Sequence, residues 1–546
     1  MARHADVLIR GGRVVGADGT AGGATALACR DGRILAVGRD DELEDLLGPD
    51  TDVVDAGGGS VLPGFVDAHS HVRLGSNPDA VDLAGATTLE EIRSRIDAHV
   101  AARPGLGWIE GTGWNYAAVP GGRPTAALLD GVGGGRPVFL LSYDAHTAWL
   151  DREAIRRLGI RAGTVALPWG HAALDPATGE PTGFVTDFAV LGISEAGERA
   201  LADAGVPGYR PDAAYARLLA SLDMAVGYGI TTVVEPQNGL DDLALFARAR
   251  DDGRLGPRLI AAMLCLPDTD GARLDALEEA RRTFDDDRLR AGPIKLYADD
   301  VVEPHTAAML EPYADRPDMS GDTFWDPEDL ARFLVELERR GFQSFTHATG
   351  DRGVRTVLDA VQACRAAHGP RDARHQIVHA ECVHPDDVRR FATLGVVACM
   401  QPRHCAPDIV ADWRRAVGPE RERRAWPFRS LVSAGATLAL SSDWNVAEMD
   451  PMTWLYTAIT RADPHGEGAW NTDETIDLAT ALRAATFGGA YANFVERERG
   501  TLEPGTAADV VVLSRDVHAI DDPLELLSTT ARATVVAGEV LARRYR

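Results

Sequence analysis

Positive charge, patterned cysteine and long apolar runs are all scarce in this 546-residue chain. Lys and Arg total 56 against 82 for Asp and Glu, a formal charge of −26 that repels polyphosphate backbones and excludes nucleic acid as an expected partner. The six cysteines, Cys29, Cys265, Cys364, Cys382, Cys399 and Cys405, are scattered without C-x-x-C spacing, which fits reduced thiols packed as small core residues rather than a disulfide framework. No stretch approaches the roughly 20 apolar residues of a membrane span, so no membrane partner is expected. The first residues run straight into a strand-like segment without the apolar core and cleavage site of a secretory signal, and a cytoplasmic location is the resulting expectation. Internal repeats and low-complexity segments are absent as well. What remains is an ordinary globular composition, 45% hydrophobic and 25% charged, in a chain about three times the commonest domain length.

Two rhythms divide the chain. From Asp6 to Val54, short β-rich runs alternate with turn signals such as Asp31-Gly32, and the last fifty or so residues resume that style around Ala537-Gly538-Glu539. Between them, short apolar runs alternate with stretches of helical length, the pattern of a parallel sheet built from β/α units. Eight such runs occur: Val61 to Ala68, Gly229 to Val234, Arg258 to Leu266, Pro293 to Ala298, Phe342 to Thr346, Gln376 to Val378, Val396 to Met400 and Thr437 to Ser441. Helix starts between them are well marked, as at Asp326-Pro327-Glu328 and His384-Pro385-Asp386, with Gly341 and Gly395 as stops. Residues 72 to about 220 break the rhythm and are too long for a βα loop, which points to a folded insertion over the barrel mouth. The expected class is α/β. A (β/α)8 TIM barrel spans residues 60–498 with that insertion after strand 1, and a small β-sandwich is assembled from residues 1–59 and 499–546.

Chemistry-bearing residues fall where such a barrel places its active site, at the C-terminal ends of strands. His69 and His71 end the first run two residues apart, a spacing that can turn two imidazoles to one ion, although H-x-H alone also occurs in cores and on surfaces. His347, His379 and Asp443 each follow a predicted strand, so five potential metal ligands at the ends of four strands would converge near the axis. Lys295 lies amid apolar neighbours in Gly292-Pro293-Ile294-Lys295-Leu296-Tyr297, where a charged ammonium is costly unless paired. It either snorkels outward or, beside cations, reacts with carbon dioxide to become a carbamate.

These residues in this order resemble the metal-dependent amidohydrolase superfamily, and the flanking sequence is similar to its amidohydrolase 3 branch, which contains the N-substituted formamide deformylases. The likeness covers nearly the whole chain and rests on Leu62-Pro63-Gly64-Phe65-Val66-Asp67-Ala68-His69-Ser70-His71, Asp144-Ala145-His146-Thr147-Ala148-Trp149, Gly179-Glu180-Pro181-Thr182-Gly183, Gly229-Ile230-Thr231-Thr232, His347-Ala348-Thr349-Gly350-Asp351-Arg352 and Ser442-Asp443-Trp444. It implies a binuclear centre, zinc in the first instance. His69, His71, Lys295 and Asp443 would hold the more buried cation, and the Lys295 carbamate with His347 and His379 the second. A bridging hydroxide would then attack the carbonyl of a small-molecule amide or formamide, with Asp443 shuttling the proton to the leaving nitrogen. Val378 stands where the branch often has an acidic residue, and Asp300 where a glycine often follows the aspartate, so substrate choice is the property these departures affect.

Weaker candidates keep two readings. His146 either contacts substrate or the oxyanion, or is structural. Glu235 either braces a ligand histidine or is a solvated loop acid. Gln401 and His404 face the mouth after the seventh run, where His404 is a candidate substrate contact. Asp351 and Arg352 either brace the metal shell or form the N-terminus of the next helix, with helix capping the nearer reading for Asp351. Trp108, Trp114, Trp149 and Trp169 in the insertion are either substrate walls, Trp114 foremost, or its core. Two rival functions remain: a mononuclear deaminase, which would not need the lysine, and a noncatalytic binding protein on the same fold. A homodimer is one expectation among the oligomeric states that the sequence leaves open.

Overall fold

Eight short strands pair side by side in chain order, all parallel: β1 (Phe65–Asp67), β2 (Ile230–Asn238), β3 (Arg258–Leu264), β4 (Leu289–Tyr297), β5 (Ser344–Ala348), β6 (Gln376–His379), β7 (Val397–Met400) and β8 (Thr437–Leu440). The computed structural model describes residues 4–75, 77, 79–143, 146–161, 172–186, 195–466 and 468–544. These form two units, one of Met1–Val72 with Leu219–Arg546 and one of Arg73–Leu218.

In the first unit the strands form a TIM barrel filled by Val66, Ala68, Val234, Ile260, Ala262, Phe345, Val378, Val397, Cys399 and Ala439. Small and branched side chains from every strand but β4 meet there, the packing expected of a closed parallel sheet. The seam between β1 and β8 carries no ladder of paired strands. Asp443 N donates to His69 O at 2.8 Å, and Ser442 donates from N and Oγ to the buried Asp67 carboxylate at 2.9 and 2.5 Å.

Helices begin where the sequence signals them. Asp326 caps α1 (Pro327–Arg339) by accepting from Glu328 N, and His384 caps α3 (Pro385–Leu394), which ends at a left-handed Gly395. For α2 (Asp351–His368) the cap position is Gly350. The Asp351 carboxylate instead accepts Leu310 N at 2.8 Å, so it ties down a neighbouring loop rather than capping its own helix.

The two chain ends build two further sheets that share one core. Arg33–Gly38, Ala26–Arg30, Val7–Arg10 and Asp52–Asp55 form the first, and Arg13–Val14, Ser60–Pro63, Val510–Leu513, Ala531–Val536 and Glu539–Arg543 the second. Val7, Ile9, Leu27 and Val54 from one pack with Val61, Val510, Val512 and Val535 from the other. The first apolar run is therefore not one strand. Ser60–Pro63 pairs with Val510–Leu513, and the chain crosses at Gly64 into β1. A Cβ at Gly64 would collide with the Thr231 side chain, so only glycine lets the two segments pass that closely.

The second unit is the insertion. Its six-stranded sheet runs Ala172–Leu174, Pro181–Thr186, Thr147–Leu150, Val138–Ser142, Ile109–Trp114 and Val81–Asp82. Trp114 is wholly buried in its core, edge-on to Tyr116 and Trp149, with Nε1 donating to Leu140 O. Trp108 and Trp149 are equally enclosed and bond Ala204 O and Thr125 O. The expectation of a substrate wall at Trp114 is corrected: an indole needs apolar cover and one acceptor, and the insertion's own core supplies both. Trp169 and His171 lie outside the described residues.

Candidate metal centre

Asp67 and Ser442, 375 positions apart, meet at the barrel seam. β1 ends at Asp67, and His69 and His71 stand just beyond it. Left-handed backbone at Asp443 (φ 57°) turns its carboxylate toward them. His69 Nε2 lies 3.1 Å and His71 Nε2 3.3 Å from Asp443 Oδ1. Glu235 is wholly buried inside β2, with Oε1 4.0 Å from His71 Nδ1. It is an interior group facing a histidine, not a solvated loop acid.

Lys295 sits on β4 opposite Phe345, two residues below Tyr297, which pairs with His347. Its Nζ is enclosed over the Tyr297 ring at 4.5 Å and the Phe345 ring at 5.5 Å. It is also the chain's one lysine among 56 cationic residues. His347 Nε2 bonds the backbone oxygen of Asp300 at 3.0 Å, and its ring centroid is 4.4 Å from that of His379. Asp299 anchors the turn that follows the strand of His347 by accepting from Ala308, Thr349 and Gly350 N at 2.9–3.0 Å. His379, also left-handed (φ 77°), donates Nδ1–H to Gln401 Oε1 at 2.8 Å, which leaves Nε2 as its lone-pair nitrogen. Gln401 is itself oriented by donating to Ser441 Oγ.

His404 joins the same cluster from the turn after β7. Its Nε2 is 3.4 Å from Asp443 Oδ2, and its ring stacks within 9° of parallel on His379. Its Nδ1 faces Glu381 Oε1 at 3.8 Å, and Glu381 accepts Trp413 Nε1–H at 2.8 Å. The sequence marks neither Glu381 nor Asp299 beyond their places just after strand ends. Their partners come from elsewhere in the chain.

Enclosure sets the electrostatics. Burial pulls Lys295 down to about 7 and His69 down to about 3. It pushes Asp299 up to about 8 against its three amide donors. Burial opposes charge at Asp443 too, but His69, His71 and His379 hold its carboxyl well below the usual carboxylate range. Burial likewise works against a charged His404, and Glu381 with Asp443 outweighs it and raises the imidazole. His69 Nδ1, His404 Nε2 and Asp443 Oδ1 are buried without hydrogen-bond partners. In each of two sets, His69–His71–Asp443 and His379–His404–Asp443, the ligand atoms lie within 4.8 Å of one another. Imidazole nitrogens converging on a buried anionic oxygen are the donor chemistry of a divalent cation, so the residues fit one.

A third set with such spacing, Glu338–Cys364–His375, does not fit. His375 Nδ1 accepts from Ser344 N at 3.1 Å, so the proton of the neutral ring is on Nε2, 3.3 Å from Glu338 Oε2, and no lone pair is free for an ion. His305 bonds Asp315, and His384 is a helix cap. His146 belongs to the second unit, half-buried after Asp144 and Ala145, which lie outside the described residues. All six cysteines are buried and unpaired.

The sequence profile described as the Amidohydrolase family matches residues 52–542. Protein LONG AFTER FAR-RED 3 of Arabidopsis thaliana is 30% identical over 98% of this chain and 91% of its own length. The N-substituted formamide deformylase of Arthrobacter pascens is 26% identical over 94% of each chain. The imidazolonepropionase of Symbiobacterium thermophilum is 47% identical over 93% of this chain and 88% of its own. Among solved structures, a metal-dependent hydrolase from Pyrococcus horikoshii OT3 shares the fold with a TM-score of 0.73 at 23% identity, covering 95% of this chain and 98% of that one.

Proposed function

The chain belongs to the amidohydrolase family and is a hydrolase of carbon–nitrogen bonds other than peptide bonds, and we propose that it cleaves a small-molecule amide or N-substituted formamide at a two-cation centre. The observation that carries this reading is the Asp443 carboxylate, with His69 and His71 beside Oδ1 and His404 beside Oδ2. His69, His71, Lys295 and Asp443 would hold one cation, and Lys295 with His347 and His379 the other. Imidazole and carboxylate donors suit zinc. Bound there, the cations supply Lewis acidity, polarising the scissile carbonyl and lowering the pKa of water.

The protein's own groups do the rest. Burial holds the Lys295 amine near pKa 7, so at neutral pH much of it is unprotonated. Its nitrogen lone pair can then add to carbon dioxide, forming an N–C bond and a carboxylate and releasing one proton. A guanidinium cannot do this, which gives a chemical reason for the single lysine in a chain otherwise served by arginine. Asp443, held anionic, takes a proton from attacking water on a carboxylate oxygen and returns it to the leaving nitrogen, so that an amine and a carboxylic acid result. Six unpaired, buried cysteines support a reducing compartment such as the cytoplasm.

The deformylase and imidazolonepropionase relatives support N-formyl amines and cyclic amides as the first substrates to try. Zinc-loaded protein is to be screened against N-formyl, N-acyl and cyclic amides for newly formed amine. Ammonia release from a one-cation protein would replace this reading with deamination, and no turnover of any amide with both cations bound would remove it.

A further inference from the structure

We propose that His404 is a further metal ligand, and that the centre is arranged as two imidazole pairs, one on each oxygen of Asp443. This rests on the two-cation reading above and adds a donor to it. His69 and His71 flank Oδ1 at 3.1 and 3.3 Å, and on the other side His404 Nε2 lies 3.4 Å from Oδ2 beside the His379 ring, whose protonated Nδ1 is 3.8 Å from Oδ2 and whose Nε2 carries the lone pair.

The neighbours of His404 prepare it for ligation. Its Nδ1 lies 3.8 Å from Glu381 Oε1, an electrostatic rather than hydrogen-bonding separation, and Trp413 Nε1–H holds that carboxylate in place at 2.8 Å. A carboxylate on one imidazole nitrogen keeps the proton there and leaves the other nitrogen as a lone pair, the arrangement that orients and strengthens histidine ligands. That other nitrogen, Nε2, is buried and has no hydrogen-bond partner. His379 is prepared more directly, by its 2.8 Å hydrogen bond to Gln401, and the two rings lie within 9° of parallel at 5.8 Å. Both supports come from short segments after β6 and β7: Glu381 follows His379 by two residues, and Gln401 precedes His404 by three. Each segment thus supplies one imidazole and the group that orients the imidazole of the other. A substrate contact alone would not require this reciprocal bracing.

The test uses full-length protein loaded with Zn2+ and then freed of excess, with metal per chain measured by plasma mass spectrometry, and a cobalt(II) form for visible spectra. We expect two equivalents in the wild type and one in His404→Ala with unchanged far-UV circular dichroism. Glu381→Gln should keep both but release one to a competing chelator about 10–100-fold more readily. Two retained equivalents and a wild-type cobalt spectrum in His404→Ala would overturn the inference, even with a raised KM, and leave the two-cation reading intact. Should His404→Ala not fold, a Glu381→Gln protein with wild-type chelator sensitivity and spectrum overturns it equally. A wild type that binds fewer than two equivalents removes the two-cation reading itself and this inference with it.

Discussion

Asp443 and His69 are joined twice, by the Asp443 amide donating to the His69 carbonyl at 2.8 Å and by the Asp443 carboxylate 3.1 Å from His69 Nε2. The backbone bond closes the barrel where β1 and β8 form no ladder, and the side chains meet above it. The same two residues thus bond across the seam and bring candidate donors together, so a group that secures the seam also holds them.

Asp67→Ala tests that coupling. It leaves the Ser442 N–H and hydroxyl without their buried acceptor, a loss of about 2–4 kcal/mol. The unfolding free energy from urea titration should fall by that amount, and bound metal should fall with it. A destabilised protein that keeps full metal content would show that seam and centre are independent.

Lys295 offers an unusually clean spectroscopic test because no other side-chain amine exists in the chain. With 13C-bicarbonate, NMR of the metal-loaded protein should show one carbamate resonance, absent in Lys295→Arg. Lys295→Ala should lose at least about 100-fold in kcat/KM, and short carboxylic acids should restore part of it. A wild-type spectrum without that resonance would remove the carbamate.

For Asp443→Asn, general acid–base chemistry predicts a fall in kcat of about 100- to 10,000-fold. The amide still fills the space between the imidazole pairs, so the fold should persist by circular dichroism. Unchanged turnover with metal bound would assign proton transfer to another group.

Asp450 supplies a pH dependence away from the donors. Burial pushes its carboxyl up to about 6 while it accepts Met452 N at 3.0 Å as a helix cap. The folded state thus holds the proton more tightly than the unfolded chain, so this group's stability is fully present below about pH 4 and is lost as pH rises through about 6. Asp450→Asn keeps the cap without the buried charge. It should be more stable than wild type by about 1–3 kcal/mol at pH 7.5, with the gain vanishing near pH 4 in paired urea titrations.

Much of this was legible in the chain. Strand and helix identities follow from local apolar spacing and from caps such as Asp326 and His384, and the candidate donors His69, His71, Lys295, His347, His379 and Asp443 could be placed at strand ends because a β/α repeat sends those ends to one face. Those are short-range properties, decided by neighbours along the backbone. Tertiary structure alone decided that Glu381 and Gln401 orient the rings of His404 and His379, that Trp114 closes into the insertion's core, and that the first apolar run breaks at Gly64 beside Thr231. The barrel contacts depend on partners tens to hundreds of residues away that meet only when the barrel closes, Trp114 depends on the packing of the insertion's own sheet, and no local pattern encodes which distant atom will face a given nitrogen.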